Sequence, residues 1–406
     1  MQLRIGVLAT HLMGWGGGID LLRVILAGLT LDGRYDLYLL VPDNSVLALL
    51  RRGASLGKRA LIDGITWKHF TRASFFIDEG ALFDGLGSYG KIPIIHYGQT
   101  EASLQRALTR EKIDVLMPSG LALGKAVQTP WIGYLPDFQF KYLPEYFSEA
   151  ALTMRETHSG NMLQRAKIIL VNAKTVARDV AQFYPQTMTR VFVMPFAPIL
   201  DTRWMSADAS NLDKLYKLPQ RFFIISNQFW KHKDHATAFR AFGLLNARYG
   251  HSDVELVCTG KMEDGRHPNY IMELNTLIDT LGIRSRLRLL GHIPKAHQVQ
   301  TMSRAIALVQ PTLFEGGPGG GAAYDSVALG VPGLLSDIPV NREISEPIVQ
   351  FFRSGDADAL AHLMAGSLMK PHIRSSAADL STAMNQRLRK LADVLDEAIA
   401  CAVGSI

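Results

Sequence analysis

The sequence predicts an α/β protein built from two parallel-sheet domains. Short apolar runs alternate with longer amphipathic segments, and the alternation restarts after an interruption near residue 200. Runs such as LYLL (37–40) and FFII (222–225) stop well short of the roughly 18 apolar residues that span a bilayer. At 406 residues and 48% hydrophobic, the chain has enough apolar content for two cores.

In the first half, residues 3–9, 37–42, 92–97, 114–118, 131–135, 168–172 and 191–195 read as strands, because each is short, apolar and bounded by polar or turn-forming residues. Helices are expected over Asp20 to Leu31 and Glu101 to Arg110. The stretch 197–220 has two prolines and no long apolar run, so it is the expected linker. The second series starts with FFIIS (222–226). Asp234 caps a helix whose Phe239, Phe242 and Leu245 recur at helical spacing. VELVCTG (254–260), a helix with Ile271, Leu274 and Ile278 on one face, RLRLLG (286–291), AIALVQ (305–310) and a helix opening near 321 follow. GLLSD (333–337) closes the series, and a last helix near 376–402 is free to pack elsewhere.

The net charge of +6 is uneven, with 21 Lys/Arg against 16 Asp/Glu in residues 1–200. That bias suits an anionic ligand or an acidic membrane face, whereas no dense arginine run or recognition motif points to nucleic acid. MQLRIGVLAT begins a strand at once and lacks the layout of a signal peptide, so the expected address is cytoplasmic. Cys258 and Cys401 are the only cysteines and supply no disulfide framework.

Two glycine-rich segments stand at strand-to-helix junctions, HLMGWGGGID (11–20) and PTLFEGGPGGGAAYDSVALGVP (311–332). The first fails the dinucleotide fingerprint, since Ile19 stands where GxGxxG starting at Gly14 needs its third glycine, and no GxxxxGK[ST] occurs. His232 and His235 are at helical-turn spacing but lack enough acidic neighbours for a metal site; no metal or cofactor is expected. In the second segment, glycine backbone and a helix N-terminus suit an anion, and Glu315 and Asp325 flank the loop.

The ordered motifs ISNQFWKHKDH (225–235), VCTGK (257–261), LRLLGHIP (287–294) and 307–344 resemble the retaining nucleotide-sugar glycosyltransferases of the GT-B type, glycosyltransferase family 4. The resemblance implies two facing Rossmann-like domains around a cleft, with the last helix crossing back to the first domain. The implied layout is an acceptor domain over 1–200, a linker over 201–220, a donor domain over 221–375 and the returning helix over 376–406. It implies that Lys233 neutralises the leaving diphosphate, that Glu315 takes donor-sugar hydroxyls, and that Asp325 takes the ribose. Gly16, Gly17, Gly18, Gly260, Gly316, Gly317, Gly319, Gly320 and Gly321 are the implied close-approach and backbone-donor positions.

Departures from the family pattern stand beside these matches. Asn227, followed by Gln228, replaces an arginine six residues before Lys233; neutral amides donate weaker hydrogen bonds, so Lys231 and the glycine N–H groups become candidate helpers. The two acids are ten positions apart rather than eight, and the second is the shorter Asp. Pro136 stands where many relatives carry histidine, which leaves Asp137 as the acceptor-side residue. Trp15 is a weak sugar-stacking candidate, and Phe75, Phe76 and Phe83 within 74–83 could rest against a lipid.

The expected activity is retaining transfer of a hexose, with a weak preference for mannose from a GDP-sugar, to a glycan or a polyprenyl-diphosphate-linked acceptor in polysaccharide or lipopolysaccharide synthesis. The enzyme would be cytoplasmic or peripheral on the inner membrane face. A nucleotide-sugar hydrolase and a nucleotide- or polyanion-binding protein without transferase activity are the alternatives.

Overall fold

The computed structural model describes residues 2–9, 12, 16–43, 91–98, 100–205, 209–370 and 372–404. Trp15, Phe75, Phe76 and Phe83 lie outside the described residues. Among the described residues, the first domain is a seven-stranded sheet in the order β3-β2-β1-β4-β5-β6-β7, with every pairing parallel. Its strands are β1 (Leu3–Leu8), β2 (Tyr35–Pro42), β3 (Ile94–Tyr97), β4 (Val115–Ser119), β5 (Trp131–Leu135), β6 (Ile168–Val171) and β7 (Arg190–Val193). The second is a six-stranded parallel sheet in the order β10-β9-β8-β11-β12-β13. It comprises β8 (Phe222–Ser226), β9 (Glu255–Thr259), β10 (Leu287–Gly291), β11 (Leu308–Gln310), β12 (Gly333–Ser336) and β13 (Val349–Phe352). The two α/β units make a GT-B fold.

Three sequence expectations change. Helix α1 spans Gly16–Thr30, so the glycines open the helix instead of forming a loop before Asp20. A Cβ at Gly18 would lie 1.7 Å from the Leu12 carbonyl oxygen, so glycine lets the chain fold tightly onto the helix start. The second sheet does not close at residue 337: β13 adds an edge, hidden in the sequence because Gln350 interrupts its apolar run. Residues 201–220 are more than a bare linker. They hold a one-turn 3-10 helix over Thr202–Trp204 and a helix over Ala209–Tyr216, and Trp204 is buried with Val299 and Met302 of the second domain.

Helices follow their sequence signals. Thr100 and Ser103 form a reciprocal capping box on α2 (Glu101–Arg110). Short α3 (Gln139–Tyr142), α4 (Glu149–Arg165) and α5 (Lys174–Phe183) follow in the first domain. In the second domain, α6 (Ala209–Tyr216) precedes α7 (His235–Tyr249), which starts on the Asp234 side chain and ends at Gly250 with φ 69°. After α8 (Tyr270–Thr280), α9 (Lys295–Arg304), α10 (Gly320–Ala328) and α11 (Ala357–Met369), the chain returns through α12 (Ala377–Val403). Leu388, Leu391, Leu395 and Ile399 of α12 sit in the first-domain core beside Leu22, Ile25 and Leu26 of α1. Among the described residues, no helix is long and apolar enough to cross a membrane.

Candidate active site

The carboxyl ends of β8 and β11 face the first domain, and the site grows from the two segments that leave them. After β8 the chain makes a 3-10 turn over Lys231–Lys233 and reverses through Asp234 at φ 50°. Asp234 Oδ1 accepts the Thr237 N–H at 3.3 Å, starting α7 and fixing the turn. The His232 carbonyl accepts from the Leu313 N–H at 2.8 Å and the Thr312 hydroxyl at 3.2 Å, so the turn is fastened to the segment leaving β11. Lys233 is therefore turned inward and buried, with Nζ 2.5 Å from Glu315 Oε1. Both side chains are about nine-tenths enclosed, so each charge depends on the other.

Gln310 organises this pair. Its Nε2 donates to Glu315 Oε1 at 3.0 Å and to the Gly319 carbonyl at 3.1 Å, while its Oε1 accepts from Asn227 Nδ2 at 2.6 Å. Asn227 thus reaches the ion pair only through Gln310, and its own Oδ1 is buried without a partner. Gln228 is engaged elsewhere, with its Oε1 accepting the Lys261 N–H at 3.1 Å. Gly260, at φ 141°, lets this loop pack closely, since a Cβ there would lie 2.0 Å from the Asn227 carbonyl oxygen.

The glycine loop divides into three tasks. Gly319 and Gly320 have φ of 66° and 59°, and their N–H groups already donate to Asn341 Oδ1 at 2.8 Å and the Gly317 carbonyl at 3.1 Å. The expectation that these two present free donors to phosphate is corrected: the left-handed turn consumes them. Gly321, the second residue of α10, keeps an N–H with no acceptor inside the helix. A Cβ at Gly320 would lie 3.0 Å from Glu315 Oε2, which places that carboxylate against the positive end of α10. Gly316 and Gly317 serve the domain junction. A Cβ at Gly316 would lie 2.6 Å from the Pro136 carbonyl oxygen and 3.0 Å from Asp137 Oδ2, and one at Gly317 would lie 3.2 Å from Asn172 Cβ. Asp137, at the carboxyl end of β5, therefore stands across the cleft beside the residue following Glu315, where its Oδ1 accepts the Gln139 N–H at 2.9 Å.

Asp325 lies in the second turn of α10. It is buried, and its Oδ2 accepts from Lys295 Nζ at 2.7 Å and Gln298 Nε2 at 3.2 Å. Lys295 Nζ also lies 3.2 Å from Asp20 Oδ2 in α1 of the first domain, and Asp20 pairs with Arg23 at 2.9 Å. Burial pushes the Asp325 carboxyl above the usual range and outweighs Lys295. Burial acts on Asp20 in the same sense, but Lys295 and Arg23 together hold that carboxyl below the usual range. Burial disfavours the Lys295 charge, yet the two carboxylates raise its pKa on balance. Sequence reasoning missed Lys295, Asp20, Gln310 and Asn341; Lys295 and Asp20 lie 275 positions apart, and only the fold brings them together.

His235 is fully buried and stacks on Phe229 with centroids 4.0 Å apart, both ring nitrogens lacking a partner, while His232 Nδ1 lies 3.3 Å from Arg266 Nη2.

With this geometry in view, comparisons with known proteins are informative. Residues 211–387 match the family model for Glycosyl transferases group 1. Anabaena HepE in complex with UDP and glucose is similar over the whole of both chains, at 14% identity and a TM-score of 0.60. An α,α-trehalose-phosphate synthase (UDP-forming) from Burkholderia vietnamiensis also covers both chains in full, at 11% identity and a TM-score of 0.62. WaaG, a glycosyltransferase involved in lipopolysaccharide biosynthesis, covers 99% of this chain and all of its own at 14% identity and a TM-score of 0.56. No curated protein matches the sequence. Residues 211–387 thus resemble a group 1 glycosyltransferase domain, and the chain as a whole shares the GT-B fold of these solved structures.

Proposed function

We propose that this chain transfers a hexose from a nucleoside-diphosphate sugar to a glycan or lipid-linked glycan acceptor, with retention of anomeric configuration. The observation that carries the reading is the buried Lys233–Glu315 pair, held at the strand ends beside the N-terminus of α10. As the bond between the sugar and its diphosphate breaks, negative charge grows on the leaving oxygen. The Lys233 ammonium stabilises that charge, and the Gly321 N–H adds a donor at the helix end. Glu315, an acceptor only when ionised, holds donor-sugar hydroxyls, and Asp325 takes those of the ribose.

The acceptor hydroxyl attacks the anomeric carbon on the face that the diphosphate leaves. Its proton passes to the departing phosphate oxygen, so no enzyme-bound sugar forms. Asp137 orients the acceptor from the opposite wall. A closed cleft favours this route by keeping water away from the breaking bond.

HepE in complex with UDP and glucose and the UDP-forming Burkholderia enzyme support a UDP-sugar ahead of the GDP-linked mannose suggested by resemblance, and the part of WaaG in lipopolysaccharide biosynthesis supports a glycan acceptor. Nucleotide-stabilised melting temperature across UDP-, GDP-, ADP- and TDP-sugars identifies the base, and the anomeric signal of the product reports stereochemistry. Lys233→Met is expected to lower transfer about 100-fold or more while the protein stays folded. Transfer within tenfold of wild type in that variant, or an inverted product, sinks the mechanism. Equal donor consumption with and without acceptor favours the hydrolase instead.

A further inference from the structure

We propose that Lys295 is a positioning residue for nucleotide recognition, fixing the Asp325 carboxylate for the ribose hydroxyls and tying it to Asp20 of the first domain. The inference rests on the ribose role given to Asp325 above. Lys295 opens α9 directly after Pro294, so its side chain leaves a rigid helix start. It is 22% exposed, and its ammonium is shared between Asp325 Oδ2 at 2.7 Å and Asp20 Oδ2 at 3.2 Å. Gln298, one turn further along α9, donates to the same Asp325 oxygen at 3.2 Å.

Both donors use Oδ2, so in this arrangement Oδ1 would be the oxygen that accepts from an incoming hydroxyl. A carboxylate held on one side in this way need not be ordered again when a ligand arrives, which lowers the entropic cost of binding.

The first domain supplies the other end of the arrangement. Arg23 holds Asp20 at 2.9 Å and lies 4.3 Å from the centre of the Trp204 ring, while Lys295 lies 5.7 Å from the same ring. A Cβ at Gly321 would lie 3.5 Å from Asp20 Oδ2, so α1 also meets the start of α10. Among the described residues, Lys295 lies between the carboxylates of Asp20 and Asp325. Losing Lys295 would leave Asp20 and Asp325 facing each other without the cation between them. Selection of a ribonucleotide is thereby coupled to the approach of the two domains.

The experiment compares UDP and GDP with their 2′,3′-dideoxy forms by calorimetric titration in wild type, Lys295→Met, Lys295→Arg, Asp325→Asn and Asp20→Asn. Wild type is expected to prefer the ribose form about tenfold or more. K295M is expected to reduce that preference below about threefold while changing dideoxy affinity little, K295R to restore part of it, and D20N to show an intermediate loss. A general packing defect weakens both forms equally, and that outcome in K295M overturns the inference. A preference lost in D325N but kept in K295M overturns it alone. No preference in wild type, or its survival in D325N, overturns the ribose assignment and this inference with it. D20N equal to wild type removes the coupling to the first domain.

Discussion

Lys233 and Glu315 stand out in the sequence through the motifs that they share with nucleotide-sugar glycosyltransferases; taken alone, a lysine beside a helix cap reads as solvent-exposed. Their mutual pairing is not legible, since it depends on the Asp234 reversal and on the His232 carbonyl gripping the segment after β11. The neighbouring histidines carry a consequence for stability. Burial and the adjacent Lys233 charge lower the imidazole pKa of His232 to about 2 and that of His235 to about 3. In the unfolded chain both take up protons below about pH 6.5, so the unfolded state binds more protons in acid. Their contribution is therefore present at neutral pH and lost as pH falls from about 6.5 towards 3, by up to ~1.4 kcal/mol per pH unit for each ring. His235→Phe keeps the stack on Phe229 and removes one titrating group. Urea unfolding between pH 6 and 4.5 is expected to show a slope shallower by about one proton, and coincident slopes would contradict the neutral-ring assignment.

At the scale of elements, strands and most helices follow from period and caps, as with the Thr100 capping box on α2 and the Asp234 start of α7. Glycines are harder to assign from sequence, because one composition serves turns, close packing and ligand approach alike. Gly319 and Gly320 take positive φ, whereas Gly316 is needed because the Pro136 backbone comes close from the other domain. Gly316→Ala should therefore act on domain approach. A Cβ 2.6 Å from the Pro136 carbonyl oxygen forces this loop and the chain leaving β5 apart, while Asp325 keeps its partners Lys295 and Gln298. Nucleoside diphosphate affinity is expected to stay within about threefold and turnover to fall at least about tenfold. Unchanged turnover in a steady-state assay would mean that this contact does not matter for the reaction.

For the whole molecule, the last helix closes the architecture. Helix α12 follows the second domain in sequence, yet its apolar face completes the first-domain core, and Arg387 pairs with Glu346 of the second domain at 2.7 Å. Gly28 allows the close contact with α1, since a Cβ there would meet Leu395 Cδ1 at 2.9 Å. Glu343 strengthens the junction by accepting the Lys174 and Thr175 N–H groups at 2.8 and 2.7 Å, capping α5 from the other domain. Leu395 is fully buried, so Leu395→Ala is expected to cost about 2–5 kcal/mol, read as a lowered unfolding midpoint in urea. A shift under about 0.5 kcal/mol would show that the helix is peripheral to the core.

The sequence by itself determined the two parallel sheets and a separate late helix, because periodicity and strand-end position are local properties, whereas the parts given to Lys233, Glu315 and Asp325 came from the motif resemblance. Only the tertiary structure decided their partners. Gln310 joins Asn227 to Glu315, and Lys295 joins Asp325 to Asp20 of the other domain. The physical reason is that the strength of a buried charge depends on which groups replace its water, and those groups are chosen by packing across long sequence separations.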